Sequence, residues 1–163
     1  MKHLRRYNES KDHETLSMFK HLWDDITDDE NFVTDFQYDT TFKCYTITIH
    51  CNKHYIGKPA EEDGFTIKEL GDRLLLPFAY SSELGIRIDY INARETDGTW
   101  YNVEDCFGHH PTLVDVMEGD YTIIEFLEEW EKDYIKDGKL IELSFTFLTL
   151  AYYDAWDELD KIN

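Results

Sequence analysis

The sequence predicts an α+β fold: a two-layer sandwich in which a mostly antiparallel sheet of about five strands is covered by helices. Three observations predict it. Residues 42–51, Phe-Lys-Cys-Tyr-Thr-Ile-Thr-Ile-His-Cys, alternate so that Tyr45, Ile47 and Ile49 share one face while Cys44, Thr46, Thr48 and His50 share the other. That is the period of a strand buried on one side, read here as the central strand. Residues 85–94 and 140–150 repeat the alternation, and several intervening segments carry apolar residues at helical spacing that need a sheet to cover them.

Taken in order, residues 1–11 read as a basic arm and residues 12–163 as one acidic globular domain. From Asp12, a candidate N-cap, Leu16, Phe19, Leu22 and Trp23 fall on one helix face, and this helix is expected to end near Asp25. An acidic connection leads into a strand over 32–38, which turns at Asp39-Thr40-Thr41 to pair antiparallel with the strand over 42–51. A polar stretch through Gly57, Pro59 and Gly64 precedes Thr66-Ile-Lys-Glu69, a capping box that starts a helix. Its apolar face is read as Ile67, Leu70, Leu74 and Leu75, with Pro77 bounding the regular part.

Residues 86–94 form the next strand, and Asp97-Gly98 is a tight-turn signal that makes a hairpin with residues 100–107. His110-Pro111-Thr112 opens a short helical segment stopped by Gly119. A second capping box, Thr122-Ile-Ile-Glu125, starts a longer helix with a stripe of Ile124, Leu127, Trp130 and Tyr134, ending at Gly138. Residues 140–150 are the last strand, and 154–162 a short terminal helix with Trp156 and Leu159 facing inward. Tyr152, Tyr153, Trp156, Trp100 and Tyr101 are the candidates for an aromatic recognition patch, and of these the two tryptophans are expected in the core.

A chain of 163 residues, 42% hydrophobic and 15% aromatic, has the material for a real core. Its formal charge of −19 is uneven. Residues 1–11 carry Lys2, Arg5, Arg6 and Lys11 against Glu9, so the remainder carries −22. Such a body repels phosphate backbones and anionic lipid and attracts basic partners. No apolar run approaches the ~20 residues of a membrane span, and the start lacks the apolar core of a signal peptide. A cytoplasmic protein is expected. Three cysteines, without a secretion signal, point to thiols or a metal site rather than a disulfide framework.

Two acidic clusters are the candidate partner-binding residues: Asp24, Asp25, Asp28, Asp29 and Glu30, and the helix face bearing Glu125, Glu128, Glu129, Glu131 and Asp133. A pair of Cys-x-x-His steps, Cys51 to His54 and Cys106 to His109, has the spacing to complete a tetrahedral zinc site, each step following a strand. The same residues, with His50 or His110, are the candidates for a small zinc or thiol enzyme. No phosphate-binding glycine loop, His-Glu-x-x-His or nucleophile elbow is present. The balance of motifs therefore favours an interaction protein over an enzyme.

The first ten residues, Met-Lys-His-Leu-Arg-Arg-Tyr-Asn-Glu-Ser, resemble the short basic N-termini of small accessory and internal proteins of large tailed bacteriophages. In some such phages a comparable leader directs proteins into the prohead and is cut after an apolar-x-Glu sequence. By that resemblance Tyr7-Asn8-Glu9 would be followed by cleavage before Ser10. The resemblance implies a phage protein acting in the host bacterial cytoplasm and carried in the virion. It directs the acidic reading toward inhibition of a host nucleic-acid-processing or defence protein, such as a restriction enzyme or CRISPR effector, with a structural or accessory phage role as the alternative.

Overall fold

A computed structural model of the chain describes residues 13–51, 63–103, 113–119, 121–136 and 138–149. The expectations for the basic arm, the Asp12 cap, residues 52–62, His110 to Thr112 and the terminal helix lie outside them. The architecture is the expected α+β one: five antiparallel strands with helices packed on one face. In chain order the elements are α1 (13–21), α2 (Asp24–Thr27), β1 (Phe32–Asp39), β2 (Cys44–Cys51), α3 (Ile67–Leu70), α4 (Leu75–Tyr80), β3 (Ile86–Glu95), β4 (Trp100–Asn102), α5 (Leu113–Met117), α6 (Ile123–Tyr134) and β5 (Leu140–Thr149). Their order across the sheet is β1-β2-β5-β3-β4.

The middle strand is thus β5, and β2, expected at the centre, lies one place off it. Alternation reports how many faces of a strand are buried, which is the same for both strands. The register lines up three buried rows: Tyr45, Phe147 and Ile88; Ile47, Phe145 and Ile91; Ile49, Leu143 and Ala93. Onto these rows the helices deliver their largest side chains. Phe19 of α1 meets Phe147 edge-on at 5.4 Å, Trp23 lies 5.5 Å from Phe145, and Phe78 of α4 sits 5.5 Å from both phenylalanines.

Local chemistry accounts for most boundaries. Asp39 ends β1 and its carboxylate accepts the amide N–H groups of Thr41 (2.8 Å) and Phe42 (3.0 Å), folding the expected turn. The Asp97-Gly98 turn forms the β3–β4 hairpin, with Asp97 accepting from Thr99 at 2.8 Å and Gly98 at a φ of 93°. β4 is shorter than expected, three residues, and residues 104–107 lie outside the described ones. The first capping box is in place, with Glu69 accepting from the Thr66 amide at 3.1 Å, and of the second the hydroxyl cap forms, Thr122 accepting from the Glu125 amide at 3.1 Å.

Several helix readings change. Pro77 does not bound a helix but sits in the first turn of α4, where its missing N–H is no loss. The break comes earlier, at Gly71 (φ 56°, ψ −147°), after which the chain tightens into a 3-10 turn over Gly71–Leu74. This shift of phase turns Leu75 out of the core to 38% exposure. On α6 the buried residues are Ile123, Phe126, Leu127 and Trp130, so Tyr134 lies outside the stripe at 37% exposure and the helix ends there rather than at Gly138. Trp100, expected inside, is 60% exposed, whereas Tyr101 packs edge-on against Trp130 at 5.5 Å.

Candidate functional site

The sheet has one face under the helices and one that is polar. Across that second face Thr46 and Thr146 hydroxyls lie 3.1 Å apart and Thr48 donates to Ser144 at 3.4 Å. The next row joins His50, Glu142, Arg94 and Trp100. His50 Nδ1 is 3.1 Å from one Glu142 oxygen, Arg94 Nε is 3.8 Å from the other, and the Arg94 guanidinium lies 5.0 Å over the Trp100 ring. Sequence reasoning missed this row, because its three ionisable side chains come from three strands and only the register brings them together. The Glu142–Arg94 ion pair runs across the row, although Arg94 Nε is buried without a hydrogen-bond partner, and the row reads as a cross-strand brace.

The unbalanced charge is on the other side. Segments 13–31, 63–85, 113–119 and 121–136, which build the helical layer, contain 17 Asp and Glu against 5 Lys and Arg. Segments 32–51, 86–103 and 138–149, which build the sheet, contain 6 against 4. Among the described residues the helical layer therefore carries −12 and the sheet −2. Asp24, Asp25, Asp28 and Glu30 are exposed, as are Glu125, Glu128, Glu129 and Asp133 on α6. The two clusters, a hundred residues apart in the chain, project from the same layer. Between them runs the 3-10 turn over Gly71–Leu74, in contact with α6 and linked to the α2 region through Arg73.

Two of the ten predicted acidic residues, Asp29 and Glu131, are not exposed, and both are engaged within the fold. Asp29 takes an ion pair from Arg73 and accepts both the backbone and side-chain N–H of Asn31 at 2.9 and 3.0 Å. The Asn31 amide, reinforced by Arg73, holds its carboxyl below the usual carboxylate range. Arg73 also donates to the carbonyls of Leu70 and Glu69 and lies 5.3 Å over the Phe32 ring. Arg73→Ala is therefore expected to lower stability by about 2–3 kcal/mol in urea unfolding, through lost charge-assisted hydrogen bonds and ring contact. The Asp29 contribution is present above the ordinary carboxylate pKa and lost as pH falls through its depressed one, so the deficit of Arg73→Ala is expected to narrow in acid.

Glu131 is the second. It is half-buried and accepts the Ile67 amide at 2.9 Å, tying α6 to the start of α3. Burial, aided by nearby Glu128 and Glu69, pushes its carboxyl above the usual range. A raised acid favours folding while protonated and opposes it once ionised, so this residue weakens the fold as pH rises through its folded pKa. Glutamine keeps an acceptor for Ile67 without the charge. Glu131→Gln is expected to melt at an equal or higher temperature than the parent at neutral pH, with the difference vanishing at acidic pH.

Of the predicted zinc ligands only Cys51 is among the described residues, where its thiol donates to the Asp63 carbonyl at 2.7 Å. His54, Cys106 and His109 lie outside them. Among the described residues no three His, Cys, Asp or Glu side chains are grouped to hold a metal, and no helix is long and apolar enough to cross a membrane. No family model, curated protein or solved structure matches the chain.

Proposed function

We propose that the chain is an interaction protein whose acidic helical layer docks on a basic protein surface. The observation that carries this reading is the segregation of charge, −12 on the helical layer against −2 on the sheet. A one-sided field of that size steers a basic partner to one face, speeds encounter and repels nucleic acid and anionic lipid. The eight exposed carboxylates of α6 and the α2 region are the contact set. The phage-like leader supports a host nucleic-acid-processing or defence protein as the partner, since a groove built for phosphates is a natural basic counterface.

The test is retention of bacterial lysate proteins on the tagged chain at low and high salt, with each retained protein identified and its binding to purified chain measured. Two variants accompany it: Asp24→Asn/Asp25→Asn/Asp28→Asn, and Glu125→Gln/Glu128→Gln/Glu129→Gln. The expected result is a nucleic-acid-binding partner released by salt, with association slowed about tenfold or more by each triple substitution. A partner indifferent to both salt and these substitutions, or none with a basic surface, would sink the reading.

A further inference from the structure

Among the described residues, the least charged helix runs through the most charged layer. α4, Leu-Leu-Pro-Phe-Ala-Tyr, contains no ionisable group other than the Tyr80 phenol. Its inner side is occupied: Leu74, Pro77 and Ser81 are buried, and Phe78 packs on Trp23, Phe145 and Phe147. Its outer side is apolar as well. Leu75, Leu76, Ala79 and Tyr80 stand at i, i+1, i+4 and i+5, exposed by 38% and 45% for the two leucines and 44% for the tyrosine. Asp72 lies one turn before this stripe and Glu83 one turn after it, both exposed.

A helix apolar on all sides belongs in an interior, and one lying at the surface has an unfilled side. The stripe with its acidic ends spans about 17 Å at the rise of a helix, three turns of a partner helix. The charge around it decides what can lie there. A second copy would bring another −12 layer against this one, and nucleic acid and anionic membrane are repelled likewise. A cationic amphipathic helix meets both demands, its apolar residues at i, i+3, i+4 and i+7 on the stripe and its Lys and Arg against Asp72, Glu83 and the surrounding carboxylates. Leu76 and Tyr80, the most exposed of the three large side chains, are the anchors.

We infer that the α4 stripe is the docking groove for a basic amphipathic helix of the partner protein. This rests on the basic-partner reading and adds where and in what form the partner binds. Wild-type chain is titrated, by fluorescence anisotropy, into a labelled Leu/Lys peptide whose leucines fall at i, i+3, i+4 and i+7, and into a peptide of identical composition with the order scrambled. Leu76→Gln/Tyr80→Gln is compared after circular dichroism shows it folded. The patterned peptide is expected to bind at least tenfold more tightly than the scrambled one, and the double substitution to erase that difference. Equal, salt-sensitive binding of both peptides overturns the groove while leaving the basic-partner reading standing, and binding of neither overturns both. Dimerisation of the wild-type chain that Leu76→Gln/Tyr80→Gln abolishes would also overturn the proposal, by making a second copy the occupant.

Discussion

Trp23→Ala is expected to lower stability by about 3–5 kcal/mol, the range for truncating a large buried aromatic side chain. Domains of this size are stable by about 5–15 kcal/mol, so a sizeable fraction of that margin would go. Trp23 is fully buried, and its ring contacts Phe19 at 6.0 Å, Phe78 at 6.4 Å, Phe145 at 5.5 Å and Phe147 at 6.3 Å. It thus joins α1, α4 and the middle strand, and a cavity there cannot be closed by one element moving alone. The melting temperature is expected to fall by about 6–20 °C. Trp23→Phe is the informative comparison. The indole Nε1 is buried without a hydrogen-bond partner, so phenylalanine removes volume and an unsatisfied donor together. A much smaller loss than for alanine is expected, and equal losses would show that shape outweighs the orphaned N–H.

Gly64→Ala is expected to destabilise the fold by space rather than by a lost contact. A Cβ on Gly64 would lie 2.4 Å from the Leu140 carbonyl oxygen and 2.7 Å from the Lys139 Cβ. The Leu140 carbonyl is not free to retreat. It accepts the Phe65 amide at 2.7 Å while Leu140 donates back to Phe65 at 2.9 Å, a reciprocal bridge that fastens the approach to α3 onto the first residue of β5. Phe65 is itself buried edge-on to Phe32 at 5.4 Å. Separating the backbones strains or breaks both bonds, and a loss of about 1–3 kcal/mol follows from overpacking alone. Gly98→Ala provides the contrast. No atom lies within 4 Å of its Cβ position, but φ is +93°, so it is strained for an alanine by backbone conformation alone, costing about 1–2 kcal/mol. Urea unfolding of the two variants measures both, and a larger loss for Gly98→Ala would contradict the ranking.

The legible parts of this fold are those written in local chemistry. Alternation marked the long strands, Thr66/Glu69 and Thr122/Glu125 marked two helix starts, and Asp39 and Asp97-Gly98 marked two turns. The unreadable parts depend on partners distant in the chain. Strand order is set by which edges meet, and nothing in residues 140–150 says they lie in the middle. Leu75 looked like core because a continuous helix would have carried it inward, and only the left-handed Gly71 changes the phase. The acidic residues were legible as clusters, but their gathering into one layer depends on how α2 and α6 are seated. Likewise Asp29 and Glu131 read as surface charge, and their engagement with Arg73 and Ile67 belongs to tertiary packing.

The position of β5 has a consequence for how the molecule comes into being. β1–β2 and β3–β4 are hairpins of near neighbours, able to form early and independently, yet neither touches the other within the sheet. Among the described residues their junction in the sheet is the strand that follows all four in the chain, and Thr48 must wait for Ser144, 96 residues later. Closing that long loop is the slow step expected of a high-contact-order topology. Until it happens, β2 and β3 each present a bare edge lined with isoleucine, the feature from which aggregation starts. A ribosome that stalls before Leu140 would therefore release two unjoined hairpins, and quality control during synthesis, rather than the stability of the finished molecule, would decide how much of this protein a cell obtains.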